Sequence, residues 1–289
     1  MRLIGTFIFL VLFLGMSHAA ELTVGLIPEQ NVFKQFQRYQ PLGEYIQEKT
    51  GIKITFTMLP RYGNIIENFR AKKMDAAFWG SFTGALAIEK AGVQPIVRPV
   101  NLDGTSSYKG YIFVHKDSVI DSVAKMRFAV IAFVDRATTA GYLFPLAYFN
   151  EHGVKNLGTY FKESFFTGSH DAAIYAVLNK EADIGSAKNT IFDLLARSDT
   201  RVKENLVILA TSPEVPSNGF GLRNDIPTDI RQKLKSVFLK MDNDPEGRIV
   251  LKNFGAKEFV ETTASDYEVV IDFAKKAGIN LKTYNYMND

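Results

Sequence analysis

Lys72-Lys73-Met74-Asp75-Ala76-Ala77 and, much further along, Asn179-Lys180-Glu181-Ala182-Asp183-Ile184 follow one plan. In each, a polar helix end leads to an aspartate, a short apolar strand and a glycine or serine turn that opens a new helix. Two lobes built alike are the simplest explanation. Around the first copy, residues 21–28 read as a β-run ending at Pro28, and residues 33–49 as a helix. Phe36, Leu42, Tyr45 and Ile46 share one face of that helix, and Gly51 closes it. Residues 52–57 alternate as a strand, 62–73 read as a helix, and 75–80 as a strand and turn. Around the second copy the order recurs: strand 127–131, helix 139–152, strand 161–166, helix 171–180, strand 183–187. The expected fold class is therefore α/β with two lobes, each a mixed, mostly parallel sheet flanked by helices. A ligand cleft is expected between them.

Residues 108–115 suit a strand crossing from lobe one to lobe two, and 206–213 with 220–223 suit the return. The division expected is 1–19 as a signal peptide, 20–112 with 220–289 as lobe 1, and 113–219 as lobe 2. Residues 227–241, 244–253 and 264–277 read as helices, the last capped near Thr263 and Ser265. Nothing resembles a flexible linker, so strands are expected to join the lobes.

Arg2 precedes an unbroken apolar run over residues 3–14, and Ser17 and Ala19 are small. The run is shorter than the ~20 residues of a membrane span, and it reads as a secretory signal cleaved after Ala19. The expected location is the periplasm, in soluble form. Cysteine is absent, which excludes disulfides, thiolate metal sites, a cysteine nucleophile and a lipidated start. Basic residues are scattered, and the net charge of +3 includes Arg2, so nucleic-acid binding is not expected. No metal or cofactor is called for: the three histidines beyond the signal, His115, His152 and His170, show no ligand spacing with acids. No nucleophile elbow or glycine-rich phosphate loop occurs either, so no catalytic residue is expected.

The segment Phe133-Val134-Asp135-Arg136-Ala137-Thr138-Thr139-Ala140-Gly141-Tyr142-Leu143-Phe144-Pro145 carries the main chemical signal. A β-run ends and small residues open a helix, whose first N–H groups lack internal acceptors and carry the positive end of the helix dipole. Such a start attracts an anion. Thr138 and Thr139 are expected to add hydroxyl donors, and Ala140 and Gly141 to admit the anion to the backbone. Trp79-Gly80-Ser81 opens a comparable helix in the other lobe, with Ser81 and Trp79 as candidates there. Gly168-Ser169-His170 gives a third such turn, and Tyr62 and Tyr108 fall where a cleft wall is expected.

Taken together, Thr138 to Pro145, Gly168-Ser169-His170 with Val177 and Asp183, and Thr211-Ser212-Pro213-Glu214-Val215-Pro216 resemble the phosphate/phosphite/phosphonate-binding proteins of ABC importers. The resemblance covers nearly all of the chain after the signal and implies the two-lobed type II periplasmic binding fold. It also implies that a Ser-Thr-Ser-Gly run holds phosphoryl oxygens, with tyrosines and a histidine assisting. Thr138 and Thr139 match its first two positions, His170 the histidine, and Tyr62 and Tyr108 the tyrosines. Ala140 departs from the pattern and removes one hydroxyl. Where relatives that take aminoalkyl phosphonates place carboxylates for the amine, this chain offers Thr190 and Asn218, so an ammonium-bearing ligand is disfavoured. The implied partners are a small oxyanion and the membrane subunits of an importer, with the protein a monomer. Three other readings stay open on sequence: ligand sensing that signals to a membrane receptor or kinase, binding of another small anion, and a periplasmic enzyme, for which no nucleophile and base pair emerges.

Overall fold

A computed structural model describes residues 20–288. The expected signal peptide lies outside them. Thirteen strands occur among the described residues: β1 (Glu21–Leu26), β2 (Lys53–Met58), β3 (Ala76–Trp79), β4 (Gln94–Asn101), β5 (Ser107–Tyr108), β6 (Gly110–His115), β7 (Val130–Phe133), β8 (Glu163–Phe166), β9 (Ile184–Lys188), β10 (Leu206–Thr211), β11 (Val215–Pro216), β12 (Gly219–Leu222) and β13 (Ala256–Glu261). One sheet runs β2-β1-β3-β12-β4-β13 and the other β8-β7-β9-β6-β10. The two have the same internal logic. A central strand pairs in parallel with two neighbours, and the next strand, arriving from the other lobe, lies antiparallel to the third.

The aspartate repeat is physical as well as textual. Asp75 Oδ2 accepts from Thr23 N at the start of β1, and Asp183 Oδ2 accepts from Val130 N at the start of β7, at 2.9 and 2.8 Å. The return bonds, Asp75 N to Thr23 O and Asp183 N to Val130 O, are 2.9 Å each. Lys72 and Lys180, at φ 55° and 63°, sit at matching left-handed turns before the two aspartates. Each aspartate thus sets the register of a parallel pair.

The chain passes between the sheets through β5 and β11, which pair antiparallel as a short ribbon. The boundaries expected at 112/113 and 219/220 cut β6 and β12, each of which lies whole within one sheet. Nor does the C-terminal region keep to one lobe. Asn288 Nδ2 donates to Asp135 Oδ2 and Tyr284 Oη to the Arg136 carbonyl, while Arg61 donates to the Asn288 carbonyl from the other lobe.

Helix α1 (Val32–Thr50) ends on Gly51, φ 73°, as expected. Its buried Gln35 donates to the Ile27 carbonyl and accepts from Glu29 N, which fixes the turn after β1. Helix α2 (Tyr62–Arg70) stops short of the expected residue 73 at the left-handed Lys72. Helix α3 (Ser81–Ala91) starts directly after β3. In the second lobe the strand expected over 127–131 begins only at Val130, because Phe128 takes φ 64° in a turn. The helix expected from Thr139 opens as a π turn, Thr139–Leu143, and continues as α4 (Phe144–Glu151) with Pro145 near its start. Three strands, β4, β11 and β13, lie outside the strands legible in the sequence. Two prolines interrupt the signal of β4, and β13 buries only two of its six side chains.

Candidate functional site

The turns that follow β1, β3, β7 and β8, and the last residue of β9, all meet between the lobes. The carboxyl ends of parallel strands are where such sheets place ligands. A small, largely enclosed cavity lies there, lined by Glu29, Tyr62, Ser81, Thr83, Tyr108, Thr138, Thr139, His170, Lys188 and Asn218 among others. A roomier depression between α1 and the helix Thr228–Leu239 is lined by Lys49, Lys233 and Lys240. It lies on the outer surface, and Lys49 is already paired with Asp244 and Glu246.

Two helix starts, one from each lobe, face the cavity and are stitched together. Thr139 Oγ1 accepts from Phe82 N at 2.9 Å, and Thr83 Oγ1 donates to the Ala137 carbonyl at 2.9 Å. Ser81 Oγ donates to the Pro216 carbonyl, at 2.5 Å, on the connecting ribbon. Tyr108, on β5, has its hydroxyl within reach of the Ser81 and Thr139 side chains; burial pushes its pKa up, and those contacts pull against it. The Thr138 hydroxyl donates to the Asp135 carbonyl at 2.6 Å. Its proton is therefore committed to the protein in this arrangement.

Three neutral donors remain. His170 Nδ1 accepts from Lys188 N at 3.2 Å, which assigns the proton to Nε2. Burial drives its pKa down to about 3, against the opposing pull of Glu29, so the ring is a neutral donor. Tyr62 Oη and Asn218 Nδ2 are buried and have no hydrogen-bond partner, although most buried polar atoms in folded proteins find one. Asn218 Oδ1 accepts from Lys188 Nζ, and this sets which end of the amide is the free donor. Both orphaned groups belong to residues lining the cavity.

Six of the nine residues expected at the site, Tyr62, Ser81, Tyr108, Thr138, Thr139 and His170, line the cavity. Three do not. Trp79 stacks edge-on against Phe69 at 5.1 Å and donates to the Gly221 carbonyl, as a core residue. Gly141 is glycine for packing: a Cβ there would come within 2.4 Å of Val134 Cβ. Ala140 sits over Gly110, whose added Cβ would lie 3.2 Å from the Ala140 methyl. Of the two positions expected to replace amine-binding carboxylates, Asn218 lines the cavity and Thr190 does not. Sequence reasoning missed Glu29, Thr83 and Lys188. The signal available was placement at strand ends: Glu29 follows β1 and Lys188 ends β9, beside the helix starts already singled out.

Glu29 and Lys188 form an ion pair at 3.0 Å, with side chains 3% and 9% exposed. Burial would raise the Glu29 carboxyl, but Lys188 and Arg38 hold it at about 2. The pair brings no net charge of its own to the cavity, where the remaining features are hydrogen-bond donors and two helix starts, groups that favour an anion.

Two similar lobes, a strand ribbon between them and buried donors converging on a small interlobe cavity define a two-lobed solute-binding protein. The family model described as "ABC transporter, phosphonate, periplasmic substrate-binding protein" matches residues 24–267, and the chain belongs to that family. Among relatives, it is 26% identical over 266 residues to the phosphonates-binding periplasmic protein of Escherichia coli (strain K12), covering 89% of this chain and 77% of that protein. The fold matches a binding-protein component of an ABC phosphonate transporter from Pseudomonas aeruginosa, with TM-score 0.84 and 22% identity over 90% of this chain and 87% of that one. It also matches a protein from Prochlorococcus marinus (MIT 9301) solved with methylphosphonate, with TM-score 0.79 and 23% identity over 90% and 99% of the two chains. Among the described residues no helix is long and apolar enough to cross a membrane.

Proposed function

We propose that this protein is exported to the periplasm by cleavage of residues 1–19, captures a small phosphorus oxyanion between its lobes, and delivers it, as a monomer and without turnover, to the membrane subunits of an ABC importer. The observation that carries the ligand class is the convergence of Tyr62 Oη and Asn218 Nδ2, both buried without partners, with His170 Nε2 on one cavity between two helix starts. An oxyanion accepts several hydrogen bonds at once and gives all three donors a partner. The narrowness of the space between the lobes favours phosphate, phosphite or a small alkyl phosphonate over anything larger. Bonds across the cleft, such as Phe82 N to Thr139 Oγ1, hold the lobes shut, and a ligand contacting both lobes selects the same closed state.

Titration calorimetry with phosphate, phosphite and methylphosphonate, and with sulfate as control, tests the reading. Micromolar or tighter binding of at least one phosphorus oxyanion is expected, and failure of all three to bind overturns the assignment.

The pH profile is a second expectation. His170 is neutral down to a pKa of about 3, so affinity between about pH 5 and 8 follows the ligand's own ionisation. An inflection near 6.5 that vanishes in His170→Gln would show that the imidazolium is the binding form. The same shift acts on stability. Unfolded histidine takes up a proton near 6.5 while the folded ring does not, so the His170 contribution is complete above 6.5 and is lost as pH falls towards 3.

A further inference from the structure

The surroundings of Lys188 Nζ are built for an ammonium group. Glu29 Oε1 lies 3.0 Å from it and Asn218 Oδ1 3.1 Å, and the face of the Tyr108 ring lies 4.4 Å away. A carboxylate, an amide oxygen and an aromatic face all favour a cation, and in the protein interior each is worth more than at the surface. Glu29 is held in place by Arg38, whose guanidinium is 3.8 Å from its other oxygen, while its N–H donates to Gln35 Oε1 and its carbonyl accepts from His170 N. The cage forms part of the cavity wall.

We propose that the protein's own Lys188 occupies an ammonium subsite of the cleft and thereby decides specificity: it excludes ligands that join an amine to the oxyanion. Resting on the oxyanion reading above, the inference names the residue that sets the ligand's substituent. A ligand amine entering the cavity meets a carboxylate already neutralised, an amide oxygen already engaged and a like charge beside it. Removing the lysine side chain beyond Cβ opens the space its ammonium filled and leaves Glu29, Asn218 and Tyr108 to receive a ligand's ammonium instead.

The test compares ethylphosphonate with its isostere aminomethylphosphonate by calorimetry on the unaltered protein and on Lys188→Ala. In the unaltered protein the amine is expected to weaken binding by about tenfold or more, a difference of ~1.4 kcal/mol. In Lys188→Ala the order reverses, and in Lys188→Ala/Glu29→Gln the reversal disappears. Methylammonium chloride provides a readout independent of any phosphonate. It is expected to raise the melting temperature of Lys188→Ala by mass action but not that of the unaltered protein. Equal or tighter binding of aminomethylphosphonate by the unaltered protein overturns the proposal. So does a folded Lys188→Ala that neither reverses the preference nor responds to methylammonium. If Lys188→Ala does not fold even with methylammonium present, the comparison on the unaltered protein decides. Methylphosphonate binding by the unaltered protein tests the oxyanion reading alone, so the two failures are distinguishable.

Discussion

Tyr62→Phe lowers affinity for the phosphorus oxyanion by about ten- to a hundredfold and leaves the melting temperature level or slightly raised. The two effects have one cause. In the protein the phenol is buried with no partner, so its hydroxyl contributes desolvation cost and no hydrogen bond to folding. Removing that oxygen relieves the cost. A hydrogen bond to a charged ligand is worth about 1.5–3 kcal/mol, and that is what the bound state loses. Calorimetry on both proteins and a thermal melt without ligand read the two quantities. A variant that is destabilised yet binds as before would mean that the hydroxyl serves the fold and does not face the ligand.

Glu29→Ala is expected to cost about 3–5 kcal/mol of stability, because it leaves the Lys188 ammonium buried and unpaired. For a chain of this size that is a fall in Tm of roughly ten degrees. Urea and thermal denaturation measure it. Replacing the whole pair, as Glu29→Gln with Lys188→Met, should recover most of the loss, since it leaves no uncompensated charge. A loss below about 1 kcal/mol would place the pair among weak, solvated ion pairs. The linked pH dependence has a definite sign. The folded carboxyl titrates at about 2 against an ordinary value of 4.5, so its contribution is complete above 4.5 and is lost as pH falls through 2.

The parts of the site that could be read from the chain were those with a local cause. Thr138 and Thr139 follow a β-run and open a helix, Ser81 does the same in the other lobe, and His170 stands at a third such turn; all four line the cavity. Trp79, Ala140 and Gly141 belong to the same segments but pack elsewhere. Which face of a helix start looks into a cleft depends on neighbours distant in sequence, such as Gly110 beneath Ala140 and Val134 against Gly141. Glu29 and Lys188 lie far apart in the chain, and beyond their placement at strand ends nothing in the sequence links them. Their pairing exists only because the turn after β1 and the end of β9 meet between the lobes.

The sequence by itself determined the repeat: two aspartates after polar helix ends, two units of alternating strand and helix, and two helix starts, each marked by residues adjacent in the chain. Tertiary structure alone decided which groups face one another across the cleft. There it committed the Thr138 and Thr139 hydroxyls to protein partners, left Tyr62 and Asn218 as unpaired donors, and enclosed Lys188 in a cage of cation-favouring groups. The physical reason is that hydrogen bonding and desolvation in a buried cavity depend on every group that converges there, and those groups come from both lobes.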